Sequence, residues 1–205
     1  MKKINEIFYS LQGEGVNTGR AAVFVRFSGC NLACPFCDTQ HEQGEFMHDA
    51  DIVANALACV KELKAEKHLV VFTGGEPSLQ LTFELVEMFH AANFEVAVET
   101  NGTRQLPLNV DFITASPKND FLPEQQQRPL KGLEGREISE LKVVFNGENE
   151  ILAWERIPAR AYYLQPCDTG DTEKNKEILH KSVEFIKAHP NWRLSLQTQK
   201  ILNIR

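Results

Sequence analysis

Along the chain, short unbroken apolar runs alternate with segments whose apolar residues recur every three or four positions. The runs are AVFVRF (22–27), LVVFT (69–73), EVAVE (95–99), DFITA (111–115), LKVVF (141–145) and YYLQ (162–165), with WRLSLQ (192–197) a further candidate. Continuous apolar character over so few residues predicts strands buried on both faces. Helical stripes fall between them. Ile52, Val53, Ala56, Leu57, Val60 and Leu63 form one in 51–64, and Leu81, Leu85, Met88 and Phe89 another in 79–92. Ile178, Leu179, Val183 and Ile186 mark a third in 173–188. Strands alternating with helices predict a parallel sheet with helices packed on it.

Most of these strands run into a polar or glycine-containing stretch: SGC, TGGEP, ETNG, SPK, NGE and QPCD. Functional residues gathered at the carboxyl ends of parallel strands belong to barrel-type α/β enzymes. A full eight-stranded barrel takes about 250 residues, more than the 205 present. No helical stripe occurs in 116–138, and only a short segment joins 145 to 161. The expectation is α/β: a partial, open TIM-type barrel of about six parallel strands with eroded outer helices. Without repeats or Gly/Ser linkers, 1–205 reads as a single domain, with an N-terminal substrate-binding segment and a C-terminal tail closing the site.

Charge narrows the partners. Lys plus Arg number 22 against 28 Asp plus Glu, a net charge of −6, and no basic stripe offers a nucleic-acid footprint. MKKINEIFYS lacks the apolar stretch of a signal peptide, and no run is long enough to span a membrane. A cytoplasmic protein is expected, and five cysteines in that setting point to metal or chemistry rather than disulfides.

Three of the five lie together in RFSGCNLACPFCDTQH (26–41), spaced Cys30-x3-Cys34-x2-Cys37. Three thiolates hold a [4Fe–4S] cluster and leave one iron open to another ligand. The rival is zinc, because His41 completes a Cys3His set. Cys59 sits in a helical apolar pattern and reads as core; Cys167 reads as a small wall residue. His48, His68, His90, His180 and His189 form no pair at metal spacing. In TGGEP (73–77) the paired glycines allow backbone to approach a ligand closely.

The cysteine spacing, with aromatic Phe36 before the third cysteine and TGGEP downstream, resembles the radical S-adenosylmethionine (SAM) superfamily. Its members chelate SAM on the free iron of the cluster and cleave it reductively. FYSLQGEG (8–15), RFSGCNLACPFCDTQH, TGGEP, ETNG, SPK (116–118) and QPCD (165–168), in that order, are similar to the 7-carboxy-7-deazaguanine synthase family. The resemblance implies a carbon–nitrogen lyase of queuosine and other 7-deazapurine biosynthesis. It further implies Mg2+, a pterin substrate, a homodimer and an electron donor such as flavodoxin or ferredoxin.

Position by position, the resemblance assigns Cys30, Cys34 and Cys37 to the cluster and Thr39 to Mg2+. SAM is expected at Phe36, Cys37, Asp38, Gly75, Ser116, Pro117 and Lys118, and at Gln165, Pro166, Cys167 and Asp168. Substrate is expected at Leu11, Gln12, Gly13, Arg26, Thr73 and the carboxylate of Arg205. Cys167 departs from the methionine frequent there in the family. Plainer readings stand beside these. Gln12–Gly15 reads equally as a turn, Asp38 and Thr39 as caps, and Lys118 as an exposed lysine. Arg26, inside an apolar strand, needs an anionic partner. Leu194, Leu196, Ile201, Leu202 and Ile204 predict a packed C-terminal segment; because the resemblance uses only the carboxylate of Arg205, it leaves that side chain free to vary. Two alternative functions remain: a glycyl-radical activating enzyme acting on a partner protein, and a non-enzymatic zinc module.

Overall fold

The computed structural model describes residues 1–205. One nine-stranded sheet runs through it in the order β3-β1-β2-β4-β5-β6-β7-β8-β9. Its strands are β1 (Lys2–Leu11), β2 (Ala21–Phe27), β3 (Glu45–Met47), β4 (His68–Gly74), β5 (Phe94–Thr100), β6 (Phe112–Ala115), β7 (Glu140–Phe145), β8 (Tyr162–Pro166) and β9 (Trp192–Leu194). From β2 to β9 all neighbours are parallel. That makes seven parallel strands, one more than the six firm apolar runs, because 192–194 joins the sheet. β1 and β3 extend one edge antiparallel to their neighbours. The sheet does not close, since β3 and β9 are its two ends.

Only three outer helices of any length cover it: α1 (Asp49–Val60), α2 (Phe83–Ala91) and α3 (Thr172–Ala188). They fall on the three predicted segments, but Leu63 and Leu81 lie outside α1 and α2, and Leu57, Leu179 and Val183 are exposed at the margin of the packed face. Thr82 caps α2 at the Leu85 N–H, and Asp171 caps α3 at the Glu173 and Lys174 N–H groups. Between β5 and β8 the outer layer is reduced to loops with short 3-10 turns. A five-residue helix, α4 (Thr198–Leu202), follows β9.

Side chains alternate across each strand, and that parity sorts the whole molecule. Val23, Val25 and Phe27, Val70 and Phe72, and Val96 and Val98 face outward into a 32-residue core beneath the helices. The opposite parity faces the barrel interior. Phe8, Ala22, Phe24, Leu69, Val71 and Ala97 form a separate apolar floor of six residues. One step further along the same faces stand Arg26, Thr73, Glu99, Lys142 and Gln165. An apolar floor under a polar mouth is therefore written into the period-two pattern of each strand.

β1 has no counterpart among the apolar runs. KKINEIFYSL is rich in polar residues, yet Lys2 is buried and pairs with Asp49 of α1 at 2.6 Å. Its register with β2 holds it in the sheet, and Ile4 and Phe8, too few to stand out as an apolar run, anchor it to the two apolar clusters.

Candidate active site

The mouth encloses a cavity of about 1720 Å3, bounded by the ends of the strands, the cysteine loop and the C-terminal segment. Every site residue expected from sequence lines it except Pro117, which is buried beneath Ser116 and Lys118. Three loops build the walls.

The cysteine loop leaves β2 and closes at its base where the Gly29 N–H donates to the His41 carbonyl at 2.7 Å. His41 enters through its main chain, and no three His, Cys, Asp or Glu side chains converge as a closed metal centre requires. A cluster makes a different demand: each thiolate binds a different iron, so the sulfurs stand apart around it. Cys30 and Cys34 are partly buried and Cys37 is exposed. Burial pushes the Cys30 and Cys34 thiols upward, and the neighbouring Cys37 adds to the effect. Cationic iron would reverse that preference, as metals do for coordinating thiols. Three thiols on one cavity, with no fourth protein donor closing the site, fit a three-cysteine cluster in kind.

Two of the strand-end motifs, ETNG and TGGEP, are the loop's supports. Asn31 exchanges hydrogen bonds with Thr103 (2.8 Å) and Asn101 (3.0 Å) of the ETNG turn. The Glu76 N–H donates to the Gly29 carbonyl at 2.9 Å. A Cβ on Gly75 would overlap Gly29, and one on Gly74, at φ +109°, would overlap Phe27. The paired glycines thus let β4 press against the start of the cysteine loop; the close approach is to the chain itself. Glu76 is buried, and its carboxylate accepts from Thr100 Oγ1 (2.7 Å), Asn101 N (2.7 Å) and Ser78 N (3.0 Å). It fixes the turn.

The second wall is QGEG, 12–15, between β1 and β2. It is more than a turn, because each residue meets specific partners from elsewhere in the chain. Gln12 Nε2 donates to Glu99 at 2.9 Å, and Thr73 Oγ1 donates to the same carboxylate at 3.0 Å. Gly13 lies so close to Gln199 that a Cβ would overlap it. Glu14 pairs with Lys142. Gly15, at φ +65°, leaves no room for a Cβ against the Glu140 carboxylate, which accepts from Val16 N at 2.7 Å and Thr114 Oγ1 at 2.8 Å. Glu14, Glu99, Glu140 and Lys142 therefore share the upper interior, and sequence reasoning missed all four. Burial disfavours the Lys142 cation, but the carboxylates of Glu14 and Glu99 outweigh it and raise the pKa. Burial likewise opposes the charge on Glu14, and Lys142 more than compensates, so its pKa falls.

Lys118 is the opposite case. It is half-buried rather than exposed, and its Nζ donates only to the carbonyl and hydroxyl of Ser116. Burial, with the charge of Lys142 behind it, pulls its pKa down to about 8. Phe36 packs edge-on against Phe121 at 4.5 Å, tying the cysteine loop to the SPK loop. Asp38 and Thr39 cap no helix; α1 begins ten residues later, after His48.

Arg26 finds its anion within the chain: its Nε donates to Glu6 of β1 at 2.8 Å, while Nη1 lies 3.4 Å from Thr39 Oγ1. Glu6 also takes Arg205 at 2.6 Å, and the Arg205 guanidinium stands 5.1 Å over the Phe8 ring. The Arg205 carbonyl oxygen accepts from Ser10 Oγ at 2.6 Å. Its side chain, though largely exposed, is thus held by an ion pair and a ring contact. The apolar packing expected of the last residues is also absent, since Ile201 and Leu202 are 70% and 58% exposed. Polar contacts hold the segment instead.

Residues 24–116 match the family model described as the Radical SAM superfamily. The chain is 46% identical to 7-carboxy-7-deazaguanine synthase of Bacteroides thetaiotaomicron, covering all of both sequences. It is 40% identical to that of Burkholderia multivorans, with 98% of each covered. The fold is similar to the crystal structure of QueE from Escherichia coli, with a TM-score of 0.73 at 28% identity over 96% of this chain and 93% of that one. A chain with the cysteine loop and the QGEG loop on one cavity, matched end to end by such relatives, belongs to the 7-carboxy-7-deazaguanine synthase family of radical SAM proteins.

Proposed function

We propose that the protein rearranges 6-carboxy-5,6,7,8-tetrahydropterin to 7-carboxy-7-deazaguanine with release of ammonia, a step of queuosine and other 7-deazapurine biosynthesis. The observation that carries this reading is a single cavity in which the three thiols and the QGEG loop face the same space. When bound, the [4Fe–4S] cluster and SAM supply a carbon-centred radical that removes one hydrogen atom from the substrate.

The chain's own residues supply the rest. Cys30, Cys34 and Cys37 hold the cluster. Asp38, Ser116, Lys118, Gln165 and Asp168 provide donors and carboxylates at the ends of β2, β6 and β8 for the amino, carboxylate and ribose groups of SAM. On the other side, Leu11, Gln12 and Gly13 with Thr73 present edges for a flat heterocycle. Arg26 offers its free guanidinium face to the substrate carboxylate. Thr39 is the proposed Mg2+ ligand. Its neighbour Arg26 is a cation, so substrate carboxylate is needed there before a divalent ion is welcome. The C-terminal segment roofs the cavity, which suits a small heterocycle better than a polypeptide. A homodimer and a flavodoxin- or ferredoxin-type donor are part of the proposal.

The test is anaerobic incubation of the cluster-loaded protein with SAM, reductant, Mg2+ and the carboxylated pterin, read by mass spectrometry. A product 17 mass units lighter in the ring system, together with ammonia, is expected. Reductive SAM cleavage with the pterin left intact would overturn the substrate assignment.

A further inference from the structure

The roof over the cavity touches both halves of the site. Toward the SAM side, Lys200 Nζ lies 2.9 Å from Asp168 and 3.3 Å from Asp38, and Gln197 Nε2 is 3.4 Å from Asp38. Asp168 lies two residues beyond the end of β8 and Asp38 follows the third cysteine, so one lysine bridges the loop after β8 and the cysteine loop. Toward the pterin side, Gln197 and Gln199 donate to Glu14 at 3.0 and 3.3 Å. Thr198 donates to the Gly13 carbonyl through both its N–H (3.1 Å) and its hydroxyl (2.9 Å). Gln199 Oε1 is buried over Gly13 and accepts from nothing; a buried acceptor of this kind is costly unless a donor arrives.

We infer that Lys200 is a positioning residue that couples the two ligands: through residues 197–200, SAM bound at Asp38 and Asp168 sets the pterin-side loop at Gly13 and Glu14. The inference rests on the function proposed above. Charge supports it. Two carboxylates and one ammonium leave a single negative charge, which matches the one sulfonium cation of SAM. Rigidity supports it as well. Asp168 is fixed by Gly170 N (3.1 Å) and Asn175 Nδ2 (2.9 Å), so it is a firm anchor. Asp38 lies on an exposed loop and touches only the roof. A ligand that orders Asp38 therefore acts on the roof, and the roof has no apolar packing of its own to resist. Coupling between sites is reciprocal, so the pterin would tighten SAM by the same factor.

The experiment uses the oxidised, cluster-loaded protein, in which SAM binds without being cleaved. The dissociation constant of SAM is measured by equilibrium dialysis with and without 6-carboxy-5,6,7,8-tetrahydropterin. In the native protein the pterin should tighten SAM roughly fivefold or more, within the usual range of coupling. In Lys200→Met the ratio should fall to about one, while SAM affinity without pterin changes by less than the lost coupling. Lys200→Arg should keep most of the ratio, and Gln197→Ala should lower it. A second readout is amide hydrogen exchange on adding SAM alone. Slower exchange at 12–15 is expected in the native protein and not in Lys200→Met. Native-like coupling in Lys200→Met, or SAM protection confined to the cysteine loop and 165–170, overturns the inference. If the pterin does not bind the native protein at all, the proposed function fails, and the exchange arm decides the coupling by itself.

Discussion

Lys118 and Lys142 both reach the cavity, and only Lys142 makes an ion pair with a carboxylate. Their substitutions should therefore act in opposite directions. A lysine whose folded pKa is about 8 against an ordinary 10.5 opposes folding while it is charged in both states. That opposition is complete below pH 8 and fades as the pH rises from 8 to 10.5, because only the unfolded chain then holds the proton. Lys118→Met should raise the melting temperature of the cluster-free protein at pH 7, by on the order of 2 kcal/mol of stability, and much less at pH 10. SAM affinity should fall in the same variant. Lys142→Met leaves Glu14 buried and unpaired and should cost about 3–5 kcal/mol in denaturant unfolding. Glu14→Gln with Lys142→Met should recover much of that loss, and additive effects in the pair would count against a direct ion pair.

At the scale of elements, the QGEG loop shows what the sequence made legible and what it hid. The six apolar runs all form strands, and the three striped segments all carry helices, with α1 and α2 shorter than the stripes that predicted them. The cysteine loop was readable because its ligands are close in sequence. Arg26 stood out as a charge within an apolar strand. The same signal was present for Lys142 in LKVVF and for Glu99 at the end of EVAVE, and it marks residues of the same interior parity. What could not be read was pairing across the chain: Glu14 with Lys142 is 128 positions apart, and Glu14 with Gln197 is 183. β1 was hidden for a related reason, since a polar strand is recognised only by its neighbours. Gly15 carries the element-scale prediction. It has a positive φ and also faces Glu140, whereas Gly19, at φ +85°, has nothing within 4 Å. Gly19→Ala should cost only backbone strain, about 1–2 kcal/mol. Gly15→Ala should cost clearly more and raise the pterin KM; equal costs would mean that the Glu140 contact does not constrain the loop.

For the whole molecule, the eroded outer layer asks what replaces the missing helices over β6 and β7. Leu133, Ile138, Ile151, Trp154 and Ile157 come from loops and short turns, yet all belong to the main core. Trp154 is 3% exposed, and its indole N–H donates to Asp120 at 2.8 Å. One aromatic side chain does the covering that a helix face does elsewhere. Trp154→Ala should cost about 3–5 kcal/mol by thermal or denaturant unfolding, although it lies outside the cavity lining. No helix is long and apolar enough to cross a membrane.

The roof also has a place in time. Residues 197–205 emerge from the ribosome after all nine strands, and the contacts that seat them are polar and made largely at the surface. Without them the mouth of the cavity is open on that side, because Gly13, Glu14, Asp38 and Asp168 lose the contacts that roof it, whereas the cysteine loop keeps its own supports. The cysteine loop and the roof are thus separable parts of the site, one for the cluster and one for the pterin side. A chain stopped after Leu196 should acquire a normal complement of iron and sulfide by chemical analysis and yet bind the pterin poorly. Failure of the shortened chain to take up iron would place the roof at the beginning of assembly instead.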